Sequence, residues 1–478
     1  MEYEAVIGLE VHVQLNTETK IFCNCSTKFG APPNTNVCPV CMGLPGVLPV
    51  LNQEVLKKAI LAGLALNCKI AEFSKFDRKH YFYPDLPKNY QISQYDLPIA
   101  INGYLDINVN GTKKRIRIRR LHMEEDAGKL IHSEIEGVNY SYVDFNRTGV
   151  PLIEIVSEPD ISTPQEAHLY LQLLKNRMRY IEVSDCNMEE GSLRCDANVS
   201  VRPKGSSELG VKTEVKNMNS FKAVEKALDF EIKRQIELLE AGEKIVQETR
   251  LWDSSKEITV SMRSKEEAHD YRYFPEPDLV PIVVDKKWVE ELRESLPEMP
   301  DEKFERYIKE FNIPENNAEI ISSEKDIALF FEQCCKLYNN YKSISNWILS
   351  EILQYLNKTQ KKMSELTNLT PENFVSLIKL IDKGEITSRV AKDIVPEIIE
   401  KGLSADKIVE SKGLKQVSDT SEIEKLVDEV ITEETEAVEK YKKGKTTVIG
   451  YLVGQVMKKS RGKANPKIAT ELFKQKLG

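Results

Sequence analysis

The chain has 478 residues, of which 41% are hydrophobic and 30% are charged. This length is too great for a single hydrophobic core, and this composition excludes a largely disordered chain. The formal net charge of -8, from 67 basic and 75 acidic residues, excludes a uniformly basic surface of the kind that coats nucleic acid.

The N-terminus lacks the features of a secretory signal. Its first residues, MEYEAVIGLE, contain no basic segment followed by an apolar stretch. The longest uncharged window is interrupted by prolines, which argues against a membrane-spanning helix. We therefore expect a cytoplasmic protein, whose nine cysteines serve as thiols or metal ligands rather than as disulfides.

Four cysteines near the N-terminus form the most specific local motif: Cys23, Cys25, Cys38 and Cys41. Two close pairs of cysteines with Pro and Gly around them are typical of a tetrahedral zinc site. Four sulfur ligands leave no open coordination position, so such a zinc ion would be structural. The spacing leaves one alternative open, namely four buried or merely reduced cysteines.

Residues 1–293 contain short apolar or alternating runs, bounded by Gly, Pro and Asn, that predict β-strands. The clearest runs cover residues 115–119, 152–156 and 197–201. Helices lie between them, and one is predicted to start at Thr163, with Pro164 at its first position. The mixture has no regular strand-helix repeat, so it predicts an α+β fold and not a doubly wound sheet.

Beyond residue 297 the pattern changes to the helical period, with Thr370 and Pro371 marking a clear helix start. We expect the rest of the chain to be helical. The composition predicts three parts: a catalytic or binding domain over 1–293, a helical domain over 294–405, and a second helical domain over 406–478.

Acidic and polar side chains recur through the N-terminal part of the chain. Alternation in a strand places Glu10 and His12 on one face, where they can meet a cation. Further clusters contain Glu124, Glu125 and Asp126, and then Glu190, Ser192, Asp196 and Glu214. Hard oxygen ligands with one imidazole favour magnesium or manganese. The alternative reading of the consecutive acids, a solvated strand end, remains open on spacing.

Basic and amide side chains near these acids in sequence, among them Lys79, Asn146 and Arg147, are suited to contact phosphate oxygens. Taken one at a time, each is also an ordinary candidate for a surface ion pair. The common nucleotide-binding loops are absent from the sequence. Any nucleotide chemistry therefore requires a different kind of site.

The last 37 residues are strongly basic, with ten Lys or Arg against the single acid Glu471. Such a compact basic helical module suits the phosphate backbone of a structured RNA. A solvated helical surface is the simpler reading of the same residues, and charge does not exclude DNA.

Several long motifs together resemble the B subunits of the tRNA-dependent amidotransferase GatCAB. The motifs span residues 8–15 (GLEVHVQL), 120–129 (RLHMEEDAGK), 151–160 (PLIEIVSEPD), 188–196 (MEEGSLRCD), 270–277 (DYRYFPEP), 454–457 (GQVM) and 462–466 (GKANP). The resemblance covers essentially the whole chain. It implies a cradle-shaped catalytic domain, a helical domain and a YqeY-like tail that binds tRNA.

The resemblance also implies an activity. Such subunits use ATP to phosphorylate the side-chain carboxylate of Glu on tRNA(Gln), or of Asp on tRNA(Asn), after which ammonia gives the amide. An amidase A subunit supplies the ammonia, and a small C subunit ties the other two subunits together.

By the same resemblance, His12 and Glu125 are the first candidates for magnesium binding, followed by Glu10, Glu190, Ser192 and Asp196. Lys79, Asn146 and Arg147 are candidates for contacts to ATP phosphates or to the acceptor. The four cysteines resemble those of the zinc-bearing members of the family.

Two other functions remain as alternatives. One is a noncatalytic, zinc-containing scaffold that binds tRNA for an enzyme elsewhere. The other is a zinc-dependent DNA-binding protein.

Overall fold

The computed structural model describes residues 2–135, 138–262, 271–414, 420–460 and 464–478. Four residues of the predicted motifs and basic tail, Asp270, Arg461, Gly462 and Lys463, lie outside this part of the chain. The structure divides into two compact units, Met1–Pro300 and Asp301–Gly478. No helix of the described residues is both long and apolar enough to cross a membrane.

The first unit combines sixteen described strands with four described helices. The strands are β1 Tyr3–Gln14, β2 Lys69–Ile70, β3 Phe73–Ser74, β4 Asp77–His80, β5 Tyr90–Ser93, β6 Ala100–Val109, β7 Thr112–Glu125, β8 Lys129–Ile135, β9 Val138–Asp144, β10 Pro151–Ser157, β11 Leu193–Pro203, β12 Thr213–Met218, β13 Thr249–Asp253, β14 Ile258–Ser261, β15 Phe274–Pro275 and β16 Ile282–Val283. The helices are α1 Gln53–Ala65, α2 Pro164–Tyr180, α3 Phe221–Glu240 and α4 Lys286–Glu294.

Nine strands form one large sheet in the order β14-β13-β12-β11-β1-β10-β7-β6-β2. Neighbouring strands are antiparallel except for the parallel pair β12 and β13. Three small sheets accompany it: β15-β4-β5, β16-β3 and β8-β9. The α+β prediction is confirmed, and the strand predictions at 115–119, 152–156 and 197–201 fall within β7, β10 and β11.

Strand β1 shows how the sheet acquires two different faces. Its apolar residues, including Leu9, Val11 and Val13, are almost fully buried in the hydrophobic core with residues of α1, α2 and α3. Successive side chains of a strand point to opposite faces, so Glu10 and His12 point away from this core. One face of the sheet therefore builds the core, and the other can present polar groups.

Helix α2 begins at the predicted residues, with one difference in its cap. The Thr163 side chain accepts a hydrogen bond from the backbone N–H of Glu166, and Pro164 is the first helical residue. The Glu166 carboxylate, however, accepts from the backbone N–H of Ser162 at 2.7 Å, and it also binds Lys114. In a capping box this carboxylate would accept from the backbone N–H of Thr163, so the reciprocal bond is displaced here by one residue.

The second unit is helical throughout its described residues. Its α-helices are α5 Pro300–Phe311, α6 Glu315–Ser323, α7 Lys325–Leu337, α8 Tyr341–Trp347, α9 Leu353–Thr359, α10 Pro371–Asp382, α11 Ser388–Lys401, α12 Ala405–Ser411, α13 Thr420–Glu433, α14 Thr435–Lys442, α15 Ile449–Lys459 and α16 Pro466–Leu477. The predicted cap at Thr370 is present, since its side chain accepts from the N–H of Asn373. One hydrophobic cluster gathers residues between Tyr307 and Val409, and another gathers residues between Ile423 and Leu477.

Helix α3 is fixed to the edge of the large sheet by a buried acid. Glu231 has no exposed surface and lies between two arginines. Its carboxylate accepts from Arg234 at 2.6 and 2.9 Å, from Gln235 at 2.9 Å and from Thr259 at 2.9 Å, and it lies 3.5 Å from Arg250. A buried charge of this kind is tolerated only while its partners remain in place.

We predict that Glu231→Ala lowers the free energy of unfolding by about 1–3 kcal/mol, because it removes the buried acceptor shared by Arg234, Gln235 and Thr259. Glu248 still pairs with Arg234 and Arg250, which limits the loss. A fall in the urea midpoint of the full-length protein, followed by tryptophan fluorescence, measures the loss. Asp229→Ala is the matched control, because it removes an exposed ion pair with Lys233 on the same helix. It should change the stability by less than about 1 kcal/mol, and equal effects of the two variants would contradict the assignment.

Candidate active site

A row of ionisable side chains crosses four neighbouring strands on the face of the sheet opposite the core. His12 on β1 is directly opposite Arg194 on β11 and Glu154 on β10. Glu154 is in turn directly opposite His122 on β7. Directly opposite residues of antiparallel strands project to the same face, so strand register alone aligns these four side chains.

The centre of this row is a cluster of two imidazoles and two carboxylates. The Nε2 atom of His12 lies 3.6 Å from Glu124 Oε1 and 3.4 Å from Glu154 Oε2. The Nε2 atom of His122 lies 3.7 Å from Glu124 Oε2 and 3.4 Å from Glu154 Oε2. His12, Glu124 and Glu154 each offer a ligand atom, and these atoms lie within 4.8 Å of one another.

The charges of this cluster stabilise one another in a buried setting. Burial alone would lower the pKa of His12, but the hydrogen bond and the negative charge of Glu154, with that of Glu124, raise it overall. Burial alone would also lower the pKa of His122, but Glu154 and Glu124 raise it overall. Burial would raise the pKa of Glu154, but the two imidazoles hold it well below its ordinary value. The acids therefore remain ionised.

Lys79 lies on β4, in the small sheet β15-β4-β5, and its charge interacts with Glu124 and Glu154 of the cluster. Burial opposes its charge, but Glu124, Tyr273 and Glu154 raise its pKa overall. Its Nζ also lies 5.0 Å from the ring centroid of Tyr271. The predicted site residues His12 and Lys79, distant in sequence, thus share one electrostatic environment.

Arg194 is held at the other side of His12. Its guanidinium lies 3.0 Å from Asp126 Oδ1, while the amide of Gln14 donates to Asp126 Oδ2 at 2.8 Å. Burial opposes the charge of Arg194, but Asp126 raises its pKa. Asp126 therefore fixes this cation on the site face without belonging to the histidine cluster.

Glu10, two residues before His12, belongs to a second polar group on the same face. It accepts a hydrogen bond from Asn198 at 2.9 Å. Burial, followed by the charges of Glu154 and Glu214, raises the pKa of Glu10. The predicted Asp196 is paired here with Lys216 at 2.6 Å.

Glu125 is placed differently from its neighbour Glu124. Consecutive residues of a strand point to opposite sides, and the Glu125 carboxylate accepts from Lys88 and from the backbone N–H of Ile92. Among the described residues, the acids grouped with His12 are Glu124 and Glu154. Gly43 packs against the aliphatic part of Lys88 so closely that a Cβ atom there would collide with it.

Four further predicted residues have internal partners or lie apart from the cluster. The Asn146 side chain accepts from the N–H of Asn36 at 2.7 Å and donates to Pro32 O at 2.7 Å. Arg147 donates to two backbone carbonyls and lies 3.6 Å from Asp126. Ser192 donates to Asp185 and closes a turn. Glu190 is exposed in the adjoining turn and is not grouped with the histidine cluster.

The four predicted cysteines come together in space. Cys23, Cys25, Cys38 and Cys41 each offer a sulfur atom, and these atoms lie within 4.8 Å of one another. The backbone N–H of Cys38 also donates to the sulfur of Cys41 at 3.2 Å. A compact four-sulfur group with a backbone donor is suited to a closed tetrahedral metal site.

Sequence reasoning missed Glu154 and His122 as members of the site. Both lie on strands whose register with β1 decides their position, and register is not visible in one sequence. One signal was present, because Glu154 is the single charged residue of strand β10, whose other residues are apolar except Ser157. A lone charge on a buried strand requires a partner, and here the partners are the two histidines.

Comparison with known protein families gives two matches. Residues 5–290 match the family model described as the GatB/GatE catalytic domain, and residues 329–477 match the one described as the GatB domain. The chain is also similar along its length to curated B subunits of aspartyl/glutamyl-tRNA(Asn/Gln) amidotransferases. The identity is 58% to the protein of Carboxydothermus hydrogenoformans, 59% to that of Caldanaerobacter subterraneus subsp. tengcongensis and 56% to that of Persephonella marina. These alignments cover 100% of this chain and 99 to 100% of each relative.

We predict that His12 and His122 titrate above the ordinary value of 6.5 and that Glu154→Gln lowers the pKa of both, because burial then outweighs the remaining charge. Since both values are raised on folding, protonation stabilises the folded state. This contribution is complete below the ordinary value and is lost as the pH rises through the raised one.

NMR of selectively labelled histidine, of which the chain has six, measures these pKa values in metal-free protein. Glu158→Gln is the control, since Glu158 is paired with Arg119 and should leave both pKa values unchanged. If Glu154→Gln also leaves them unchanged, the described cluster does not govern these histidines.

Proposed function

Because the chain belongs to the GatB family of aspartyl/glutamyl-tRNA(Asn/Gln) amidotransferase B subunits, we propose that it amidates an amino acid already esterified to tRNA. The substrates are Glu on tRNA(Gln), Asp on tRNA(Asn), or both. ATP activates the side-chain carboxylate, and ammonia converts it to the amide. The chain is thus a subunit of an ATP-dependent ligase that forms carbon-nitrogen bonds.

One observation carries the proposal for the site: the buried group of His12, Glu124 and Glu154 on the face of the large sheet opposite its core. The two carboxylates are hard oxygen donors of the kind that suits Mg²⁺ or Mn²⁺, and the imidazole adds one borderline nitrogen donor. The regular geometry of a strand ladder also holds them rigidly. We therefore assign the metal to these three side chains, with Glu10 beside them and with Glu125 kept as the sequence-based candidate.

The reaction needs activation because a carboxylate has no good leaving group. Its oxygen attacks the γ-phosphorus of ATP, the bond to ADP breaks, and an acyl phosphate forms. Ammonia then attacks the acyl carbon, phosphate leaves with the bonding pair, and the nitrogen loses a proton. Phosphoryl transfer of this kind depends on positioning and on neutralising negative charge, and a bound divalent ion supplies part of that neutralisation.

The chain's own cations supply the remainder. Lys79 and Arg194 both lie near the acids of the His12 cluster, and neighbouring acids hold both of them charged. Cations that are fixed before the substrate arrives stabilise developing phosphate charge without reorganisation. We assign Lys79 and Arg194 to the transferred phosphoryl group. Asn146 and Arg147, the other sequence candidates, are assigned a supporting role in the loop that they hold.

A cavity of about 220 Å³ adjoins the site beside Gly8 and Glu10. Its wall combines apolar residues such as Val6 and Val156 with polar groups such as Asn198 and Ser200. A mostly apolar cleft with a few polar groups is the usual setting for a small-molecule ligand. We assign it to the nucleoside of ATP.

The four-cysteine cluster is assigned to one zinc ion. Its donor set is sulfur throughout, which favours Zn²⁺ over the hard ions proposed for the histidine cluster. A closed site leaves no position for substrate, so the metal's contribution is structural. It joins Cys23 and Cys25 to Cys38 and Cys41 across a segment without strands or helices.

The partners follow from the family. An amidase A subunit releases ammonia from glutamine, and a small C subunit ties that amidase to this chain. The chain shows no amidase signature in its sequence, so its ammonia comes from outside. We expect the complex to protect ammonia from protonation on its way to the site.

We assign the basic end of the chain to tRNA binding. Fewer of its lysines are available to RNA than the sequence indicates, because some are paired with acids of the chain. Lys459 is paired with Glu429 and Glu433, and Lys476 with Glu424 and Asp428. Among the described residues, five exposed tail lysines have no such ion pair: Lys442, Lys445, Lys458, Lys467 and Lys474. These five are assigned to the RNA phosphates.

The scaffold alternative is not favoured, because a protein that only binds tRNA has no need of two buried carboxylates between two histidines. Burying such charges costs free energy that binding elsewhere does not recover. The DNA-binding alternative accounts for the tail but not for the histidine cluster.

We predict that Glu154→Gln and Glu124→Gln each lower ammonium-dependent amidation by the reconstituted three-subunit complex by about 100-fold or more, because each removes a charged donor from the metal site. Measurement with Glu-tRNA and with Asp-tRNA also identifies the preferred substrate. Asp229→Asn, which removes an exposed ion pair with Lys233 on α3, is the control and should keep full activity. Glu125→Gln, measured in parallel, tests the sequence-based candidate.

Retention of activity by both Glu154→Gln and Glu124→Gln would contradict the metal assignment. Calorimetric measurement of Mn²⁺ binding to each variant distinguishes a loss of metal binding from a defect in a later step.

We predict near one zinc ion per chain in protein purified anaerobically without added metal, and loss of that zinc in Cys38→Ala. The variant should otherwise keep the large sheet, because the cluster lies outside its strands. Elemental analysis with circular dichroism checks both points. An absence of zinc from the wild-type protein would contradict the assignment.

We predict that replacing the five exposed tail lysines by Gln raises KM for tRNA while kcat at saturating tRNA stays within about twofold. Each lost phosphate contact should reduce the salt dependence of binding by about 0.7–0.9 in the log-log slope. The control replaces Lys459 and Lys476, whose charges are already paired, and it should alter the slope less. Equal effects would point to a structural role of the tail.

A further inference from the structure

Lys20 has a side chain with no exposed surface. An ammonium group in such a position must find hydrogen-bond acceptors, and in a medium of low dielectric constant it also needs a negative partner. Lys20 lies at the start of the segment that carries the four cysteines, immediately before Ile21, Phe22 and Cys23. Its burial therefore needs a local explanation.

The Lys20 ammonium has three acceptors in the structure. It donates to the backbone oxygen of Asn36 at 2.8 Å, to that of Phe145 at 3.4 Å and to the Sγ atom of Cys41 at 3.6 Å. An ammonium has three N–H groups, so this set accounts for all of them. Of the three acceptors, only the sulfur can ionise. Among the described residues, no carboxylate is ion-paired with Lys20.

The charge of a four-cysteine zinc site complements this arrangement. Four thiolates carry twice the charge of one divalent ion, so the filled site has a negative excess. Hydrogen bonds and cations around a metal site offset such an excess and orient the ligands. Lys20 brings a fixed positive charge to one of these four sulfurs.

We propose that Lys20 is a positioning residue of the zinc site, whose buried ammonium offsets the thiolate charge of Cys41 and fixes its sulfur. This inference rests on the zinc site proposed above. The backbone of Gly149 passes beside both side chains, because a Cβ atom there would lie in ordinary van der Waals contact, 3.5 Å from Lys20 Cδ and 3.6 Å from Cys41 Cβ. The glycine, at φ +81°, lets the backbone turn against both side chains.

The test compares Lys20→Met, Lys20→Gln and Lys20→Arg in the full-length chain. Met has a similar length without charge, Gln keeps an N–H donor without charge, and Arg keeps the charge. Zinc transfer to a chromogenic chelator gives the release rate. We expect Lys20→Met and Lys20→Gln to release zinc about 10- to 100-fold faster than wild type, and Lys20→Arg to lie closer to wild type. Lys28→Met, an exposed lysine of the same segment, should stay within about twofold.

A second measurement separates charge from mere structure. In cobalt-substituted protein, a positive charge beside a thiolate raises the energy of the sulfur-to-metal charge-transfer bands. Lys20→Met and Lys20→Gln should therefore shift these bands to longer wavelength. Lys28→Met, which removes an exposed charge of the same segment, should leave them in place.

The outcomes are distinct. Unchanged release and unchanged bands in both neutral variants would overturn the role of Lys20 while leaving the zinc site intact. Faster release with unchanged bands would overturn the charge assignment and leave a structural contact. A wild-type chain that binds neither zinc nor cobalt would overturn the zinc site and this inference with it. If the neutral variants do not fold while Lys20→Arg folds and retains zinc, the charge requirement is supported.

Discussion

The site depends on mutual compensation between two buried acids and two imidazoles. Glu124 is 3% exposed and Glu154 is 9% exposed, so water does little to stabilise their charges. His12 and His122, each close to both acids, replace that solvation. This arrangement keeps the carboxylates ionised in the metal-free protein. Under the proposed metal assignment, an entering divalent ion would take the place of the imidazole protons as the positive partner. A site that is charged in advance binds a cation without first having to lose protons from its acids.

Local signals predicted the helices and the cysteine cluster well, because each depends on residues that are near in sequence. Thr163 and Thr370 cap their helices through N–H groups three residues later, and the close cysteine pairs meet after a short loop. Which of Glu124 and Glu125 lies beside His12 could not be read from such signals. It depends on the face of the sheet to which each residue of β7 points, and a register shift by one residue between β7 and β10 would exchange the two acids. For the same reason, the position of Glu154 beside His12 follows only from the register of β1 and β10.

The fold also decides which charged side chains of a segment are available to a ligand and which are paired within the chain. The count of basic residues near the C-terminus correctly identified a cationic module, but it could not tell paired lysines from unpaired ones. Lys459 and Lys476 turn towards the acids of α13, and each contacts two of them. Asn146 gives a similar lesson, since its amide, a group suited to a phosphate contact, already holds the Asn36 segment. Residue type states what a side chain can do, and its neighbours determine what it does.

The contact between Gly43 and Lys88 makes a position without a functional group important. Gly43 adopts φ +66° two residues after Cys41, and its missing side chain leaves the space that the stem of Lys88 fills. Even alanine there would push that stem aside and turn the ammonium from Glu125. A deep mutational scan should therefore record residue 43 as intolerant, although it has nothing to offer a ligand. Substitution of Gly43 should then be tolerated as poorly as substitution of Lys88, because packing at Gly43 holds the Lys88 ammonium against Glu125.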